Sequence, residues 1–251
     1  MNRHDLAQIN QVLLTCEKLL AEDLLGVYLY GSATLGTLRP TSDLDLLIIS
    51  KHKITDAQRK SLTQEFLQIS GAINNLSKRP LEITIVNPDD LNLIEPYCDY
   101  MYGEWLRDSI EKGQIPQPFI DPDLQVLLYQ VQLSHLVLKG PSCTKFLPKI
   151  AFSQVQEAIF ASLPSLIANF QGDERNVILT LCRMWFTLHN QKITTKDLAA
   201  KFAIDRVPSK FVPLLTEAQN AYLKGLNFER TKEAPALINY LKQQIENSRN
   251  H

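Results

Sequence analysis

The chain has 251 residues, 45% of them apolar and 21% charged, with a formal net charge of −1. That is the balance of an ordinary soluble globular protein with core enough for one large domain or two modest ones. The near-neutral charge argues against a nucleic-acid partner, which needs a basic surface. No stretch approaches a membrane span or a cleavable leader, and Cys16, Cys98, Cys143 and Cys182 form no C-x-x-C pair, so a cytoplasmic chain without zinc or disulfides is expected.

Leu6, Ile9, Leu13, Leu20 and Leu24 recur at roughly helical spacing, which predicts a first helix over residues 5–24. Val27 to Tyr30 is an apolar, aromatic run that reads as a buried strand. It stops at Gly31-Ser32, crosses a segment punctuated by Gly36 and Pro40, and re-enters an apolar strand from Leu44 to Ile49. Asp43 and Asp45 open that second strand at i and i+2, and strand side chains alternate faces, so both carboxylates share one face. Two carboxylates side by side repel unless a cation lies between them, and a divalent cation with its phosphates supplies that. Gly31 lets backbone N–H groups approach a ligand and Ser32 adds a hydroxyl, so phosphate oxygens have donors just before the metal site. Either dipeptide alone is ordinary hairpin-turn chemistry. Together, ten residues apart and flanked by strands, they are far more specific.

Thr55-Asp56 starts a second helix running to about Ser70. After a loop from Gly71 to Pro80, Leu81 to Val86 forms a short strand ended by Asn87-Pro88. Its one acid, Glu82, reads either as a residue on a polar strand face shared with Thr84 or as a group placed for chemistry. Trp105 follows Gly103-Glu104, and by itself reads as a packed tryptophan at a helix start. Pro116, Pro118 and Pro122 stiffen a connector from Gln114 to Asp123. Residues 123–138 read as one helix broken by Lys139-Gly140-Pro141, and the loop to Pro148 is the expected domain boundary, giving domains 1–148 and 149–251. Ser153–Phe170, Asp173–His189, Thr195–Phe202, Pro213–Gly225 and Pro235–Asn247 then read as helices. Val177, Leu181, Trp185 and Leu188 form a one-sided apolar stripe, as a core requires.

Gly-Ser, a spacer and Asp-x-Asp between strands resemble the nucleotidyltransferase superfamily related to DNA polymerase β. That resemblance implies a third carboxylate on the neighbouring strand, and Glu82 is the only acid there. Over nearly the whole chain the sequence resembles the aminoglycoside (3'')(9) adenylyltransferases. The supporting segments are Leu81-Glu82-Ile83-Thr84, Gly103-Glu104-Trp105-Leu106-Arg107, Gln171-Gly172-Asp173-Glu174, Leu179 to Trp185, Thr195-Lys196-Asp197 and Ala218 to Leu223. The resemblance implies an α+β protein: an N-terminal nucleotidyltransferase domain of mixed sheet and helices, and a C-terminal α-helical bundle, with ATP in the cleft between them. It further implies that Gly31 and Ser32 hold phosphate, that Asp43, Asp45 and Glu82 bind two Mg²⁺ ions, and that Glu82 is the base that deprotonates the acceptor hydroxyl. Asp123, Arg183, Lys196 and Tyr222 would meet the nucleotide, and Glu82, Trp105, Asp173 and Asn176 the drug.

Bland readings stand beside several of these. Asp123 and Asp173 also read as helix N-caps. Lys196 also reads as a solvated lysine, although a cation at a helix N-terminus is electrostatically misplaced and suits a phosphate partner. Specificity depends on departures from the family pattern. Members acting on both spectinomycin and streptomycin carry a tryptophan and an aspartate nine and four residues before the position of Asp173, and a histidine three after it. This chain has Pro164, Asn169 and Asn176. The resemblance therefore implies a monomeric enzyme that transfers AMP to O-9 of spectinomycin. The alternatives are a dual-substrate 3''(9) enzyme, a housekeeping adenylyltransferase with another acceptor, and a non-catalytic nucleotide sensor. The sensor would be expected to have lost a carboxylate, whereas Asp43, Asp45 and Glu82 are all present.

Overall fold

The structure, a computed structural model, describes the chain apart from residues 40, 41, 73, 74, 76, 92–94, 229, 231 and 251. Pro40, part of the predicted turn, lies outside the described residues. The chain divides into two compact units, Met1–Ala151 and Phe152–His251.

In the first unit, α1 (Arg3–Leu20) opens with a capping box between Asn2 and Asp5 and buries Ile9, Val12, Cys16 and Leu20, one stripe at helical spacing. The helix ends four residues earlier than its apolar spacing predicts. Ala21 leaves helical geometry at φ 47°, and Leu24 instead begins β1 (Leu24–Tyr30). β2 (Leu44–Ser50) lies antiparallel to β1, and α2 (Asp56–Ile69), capped by Thr55, leads to β3 (Leu81–Val86), parallel to β2. β4 (Tyr97–Cys98) is followed by β5 (Tyr100–Gly103), antiparallel to β3, and then by α3 (Arg107–Glu111). β6 (Phe119–Ile120) pairs with β4, and α4 (Asp123–Leu133) follows.

The predicted helix over 123–138 is shorter than expected. Ser134 is extended, at φ −155° and ψ 114°, and Leu136–Lys139 forms β7 against β1. Among the described residues the main sheet is mixed, in the order β5-β3-β2-β1-β7. Leu46, Ile48, Ile83, Ile85, Phe66 and Tyr100 are fully buried in its core. Asp99, at the start of β5, accepts bonds from Ile54 N (2.7 Å) and Arg59 Nη2 (3.2 Å), so a buried ion pair ties β5 to α2.

The second unit is helical: α5 (Phe152–Ala168), α6 (Glu174–Asn190), α7 (Lys196–Ile204), α8 (Val212–Lys224) and α9 (Ala234–Asn247). α6 packs against α7, α8 and α9, and Val177, Leu181, Trp185 and Leu188 of its stripe are all buried. The indole of Trp185 meets Phe202 edge-on at 5.3 Å. All four cysteines are free and buried. Among the described residues no helix is long and apolar enough to cross a membrane.

Candidate active site

One row of the sheet assembles the acids. Tyr30 of β1 pairs with Asp45 of β2, Asp45 with Glu82 of β3, and Glu82 with Gly103 of β5. Residues paired across a ladder share a face, so Asp45 and Glu82 stand side by side. Each is the one residue of its strand that is not buried. The polar-face reading of Glu82 fails on this point, because Thr84, two residues on, is fully buried. Glu82 is an opening in an otherwise sealed strand.

The residues before and after Asp43 are fixed from outside. Arg79, paired with Asp5 at 2.7 Å, donates to Ser42 O at 3.1 Å, and Pro80 O accepts from Leu44 N at 2.9 Å. Asp43 therefore enters β2 from a clamped backbone. Gly31 follows β1 at φ 67°, and a Cβ there would overlap the carboxylate of Asp45. Glycine is needed at that position for both reasons. Beyond it, Thr34 N donates to Gly31 O and Thr37 N to Ser32 O, each at 3.2 Å, closing a tight turn. The Ser134 hydroxyl, just past α4, donates to Thr34 Oγ1 at 3.1 Å and ties that turn to the helix that Asp123 begins. Asp123 is exposed and is the first helical residue, so it is not the N-cap; Pro122 holds that place. Its N–H donates to Asp121 Oδ1 at 3.0 Å. Burial, and secondarily the charge of Asp123, pushes the Asp121 carboxyl up to about 6. Sequence reasoning passed over Asp121.

Trp105 is 57% exposed, not packed as its neighbours suggested. The residues beside it are held tightly. Glu104, buried, accepts bonds from Ser70, Tyr102 and Arg107, and Arg107 also donates to the carbonyls of Leu67 and Ser70. The sequence marks this segment only as a motif, and the anchoring role of Glu104 was not foreseen.

In the second unit the candidate residues form two separate pairs. Lys196, the first residue of α7, places its Nζ 5.9 Å from the ring centroid of Tyr222 on α8. Asp173 is the N-cap residue of α6, but its side chain makes no cap bond. Its Oδ1 accepts from Asn176 Nδ2 at 2.6 Å, which leaves the carboxylate exposed at the helix end. Arg183 is half-buried on the same helix. Ten positions separate it from Asp173, or about 15 Å along the axis. Asn169 lies just past α5 and donates to Ser165 O at 3.0 Å, and Pro164 is exposed within that helix.

Among the described residues, no three His, Cys, Asp or Glu side chains are already gathered into a metal cage. The donors nonetheless fit Mg²⁺, a hard cation that takes one or two carboxylates plus substrate phosphates in preference to an all-protein cage. The Asp45 carboxylate itself takes the space that glycine leaves at position 31, beside the turn.

Comparison with known proteins settles the family. The family described as polymerase beta, nucleotidyltransferase matches residues 15–96, and the aminoglycoside adenylyltransferase C-terminal domain matches residues 145–247. The spectinomycin 9-adenylyltransferase of Campylobacter jejuni is 50% identical over 95% of each chain. The chain belongs to the aminoglycoside adenylyltransferase family. It is a nucleotidyltransferase of the α+β class expected from its motifs, which removes the non-catalytic sensor. Within the family, the spectinomycin 9-adenylyltransferase of Staphylococcus aureus is 41% identical over 97% of this chain and 96% of its own. An aminoglycoside (3'')(9) adenylyltransferase of Klebsiella pneumoniae is 33% identical over 95% and 94%. The crystal structure of a spectinomycin adenyltransferase from Enterococcus faecialis, with ATP and spectinomycin, superposes with a TM-score of 0.92 at 35% identity, covering 96% of this chain and 99% of that one.

Proposed function

We propose that the protein transfers AMP from ATP to O-9 of spectinomycin. The observation that carries this reading is the row Asp45–Glu82–Gly103, with the Gly31 turn at one side and the Trp105 indole at the other. It supplies a carboxylate pair, a phosphate-approach turn and an aromatic wall on one sheet. Identity is also higher to relatives named for position 9 of spectinomycin than to those named for both positions.

Gly31 and Ser32 bind phosphate oxygens, and Asp43, Asp45 and Glu82 would hold Mg²⁺. When bound, the metal offsets the negative charge that builds on the transferring phosphoryl group and on leaving pyrophosphate. Glu82 takes the proton of the acceptor hydroxyl as that oxygen bonds to the α-phosphorus and the bond to pyrophosphate breaks. Asp123, Arg183, Lys196 and Tyr222 are nucleotide ligands in this reading. Trp105, Asp173 and Asn176 recognise the drug, with Asp173 pairing with its ammonium groups. A small aminocyclitol as acceptor needs no nucleic acid and no second subunit, and the demand for ATP suits a cytoplasmic monomer.

Incubating the purified protein with Mg-ATP and spectinomycin should give a product carrying one AMP at O-9, identified by mass spectrometry and NMR. AMP attached elsewhere, or not at all, would overturn the proposal.

A further inference from the structure

Gly103 contributes no functional group, so its importance lies in the space it leaves. It stands directly across the β3–β5 ladder from Glu82. Cross-strand partners carry their Cβ positions on one face, on the order of 5 Å apart. A Cβ at Gly103 would overlap the six-membered ring of the Trp105 indole. The indole therefore occupies the space beside the Glu82 side chain that any other residue at 103 would fill. Backbone strain is not the reason for glycine: at φ −146° and ψ 151° the residue is extended, a conformation open to every amino acid.

The backbone that carries the ring is anchored at the neighbouring residue as well. Glu104 is buried against Ser70, Tyr102 and Arg107, and Arg107 is bonded to the carbonyls of Leu67 and Ser70 at 3.3 and 3.2 Å. The indole itself remains mostly exposed. An exposed tryptophan ordinarily loses rotamer freedom when a ligand settles on it, and holding the ring in advance removes that cost.

We propose that Gly103 is a positioning residue that seats the Trp105 indole beside Glu82 and so sets affinity for the acceptor. The inference rests on the reading of Trp105 as the acceptor's aromatic wall. Gly103→Ala, Trp105→Ala and the double variant separate the two. In steady-state assays with Mg-ATP and spectinomycin, Gly103→Ala should raise the KM for spectinomycin roughly tenfold, the scale of one misplaced group in a pocket. The KM for ATP should stay as in the parent. The double variant should match Trp105→Ala, because a glycine that acts only through the indole has nothing to add once the ring is gone. Acrylamide quenching of tryptophan emission should change in Gly103→Ala, since Trp105 is the exposed one of the chain's two tryptophans and Trp185 is buried. If Gly103→Ala proves unstable, the double variant should recover the thermal stability of Trp105→Ala, the overlap having been removed. Trp105→Ala without effect on the KM for spectinomycin overturns the aromatic-wall reading, and this inference with it. Trp105→Ala with a raised KM, beside Gly103→Ala with none or with additive effects, overturns the inference alone.

Discussion

At the scale of single residues, the proposed reaction gives Glu82 the most demanding task. A hydroxyl is a weak nucleophile near neutral pH, and a carboxylate within hydrogen-bond reach aids its deprotonation. Glu82→Gln keeps the shape of the side chain and the β3 ladder, so ATP should still bind while adenylyl transfer falls by about 10²- to 10⁴-fold. Near-full turnover at pH 7 to 8 would remove Glu82 from the role of base. Asp121 offers a second test, through pH. Its folded-state value, about 6, lies above its ordinary 3.8. The folded protein therefore binds the extra proton between those values, and stability contributed there declines as pH rises from about 4 to about 6. Asp121→Asn keeps an acceptor for the Asp123 N–H and should flatten that part of the stability–pH curve, measured by urea unfolding at several pH values. An unchanged slope would contradict the assignment. The pairing of Asp45 with Glu82 and the left-handed turn at Gly31 were legible in the sequence because residue type and spacing carry them. Gly103 and Asp121 were not. One depends on a tryptophan two residues on folding back over it, and the other on burial, and neither is a property of a short segment.

At the scale of elements, the long helices of the second unit and the strands β1 to β3 were readable from periodicity and turn residues. The exceptions share one cause, which is pairing between distant segments. Leu133, Leu136 and Val137 continue a helical apolar spacing, yet Leu136–Lys139 is a strand because β1 offers it a free edge. Tyr100–Gly103 is too short to announce itself, and it becomes β5 by pairing with β3. What fixes the start of β5 is Asp99, whose side chain is 2% exposed and faces Arg59, itself only 4% exposed. Asp99→Ala removes the counter-charge of that guanidinium, which keeps its bonds to the carbonyls of Asp99 and Ile54, and removes the acceptor of the Ile54 N–H. It should destabilise the fold by about 3 kcal/mol, the low end for leaving one member of a buried pair without its partner. Chemical denaturation measures it; a loss below about 1 kcal/mol, the value of an exposed pair, would mean that Arg59 finds other partners.

At the scale of the whole molecule, the fold class was legible because each motif agreed with its neighbours in order and spacing. Drug choice is the property that the fold leaves open. Streptomycin carries guanidinium groups that call for a carboxylate and an aromatic face. Asn169 supplies neither, and its amide is occupied with Ser165 O at the end of α5. Exposed Pro164 offers no π surface. In the proposed reading, Asp173, Glu82 and Trp105 serve the compact spectinomycin, which carries no guanidinium to pair. The most direct measurement is pyrophosphate release by the purified protein with ATP and Mg²⁺, run in parallel with spectinomycin, with streptomycin and without acceptor. Release that follows spectinomycin, with only background in the other two, is the predicted result. Comparable release with streptomycin would contradict the assigned specificity, and release without acceptor, or none with spectinomycin, would contradict the proposed reaction.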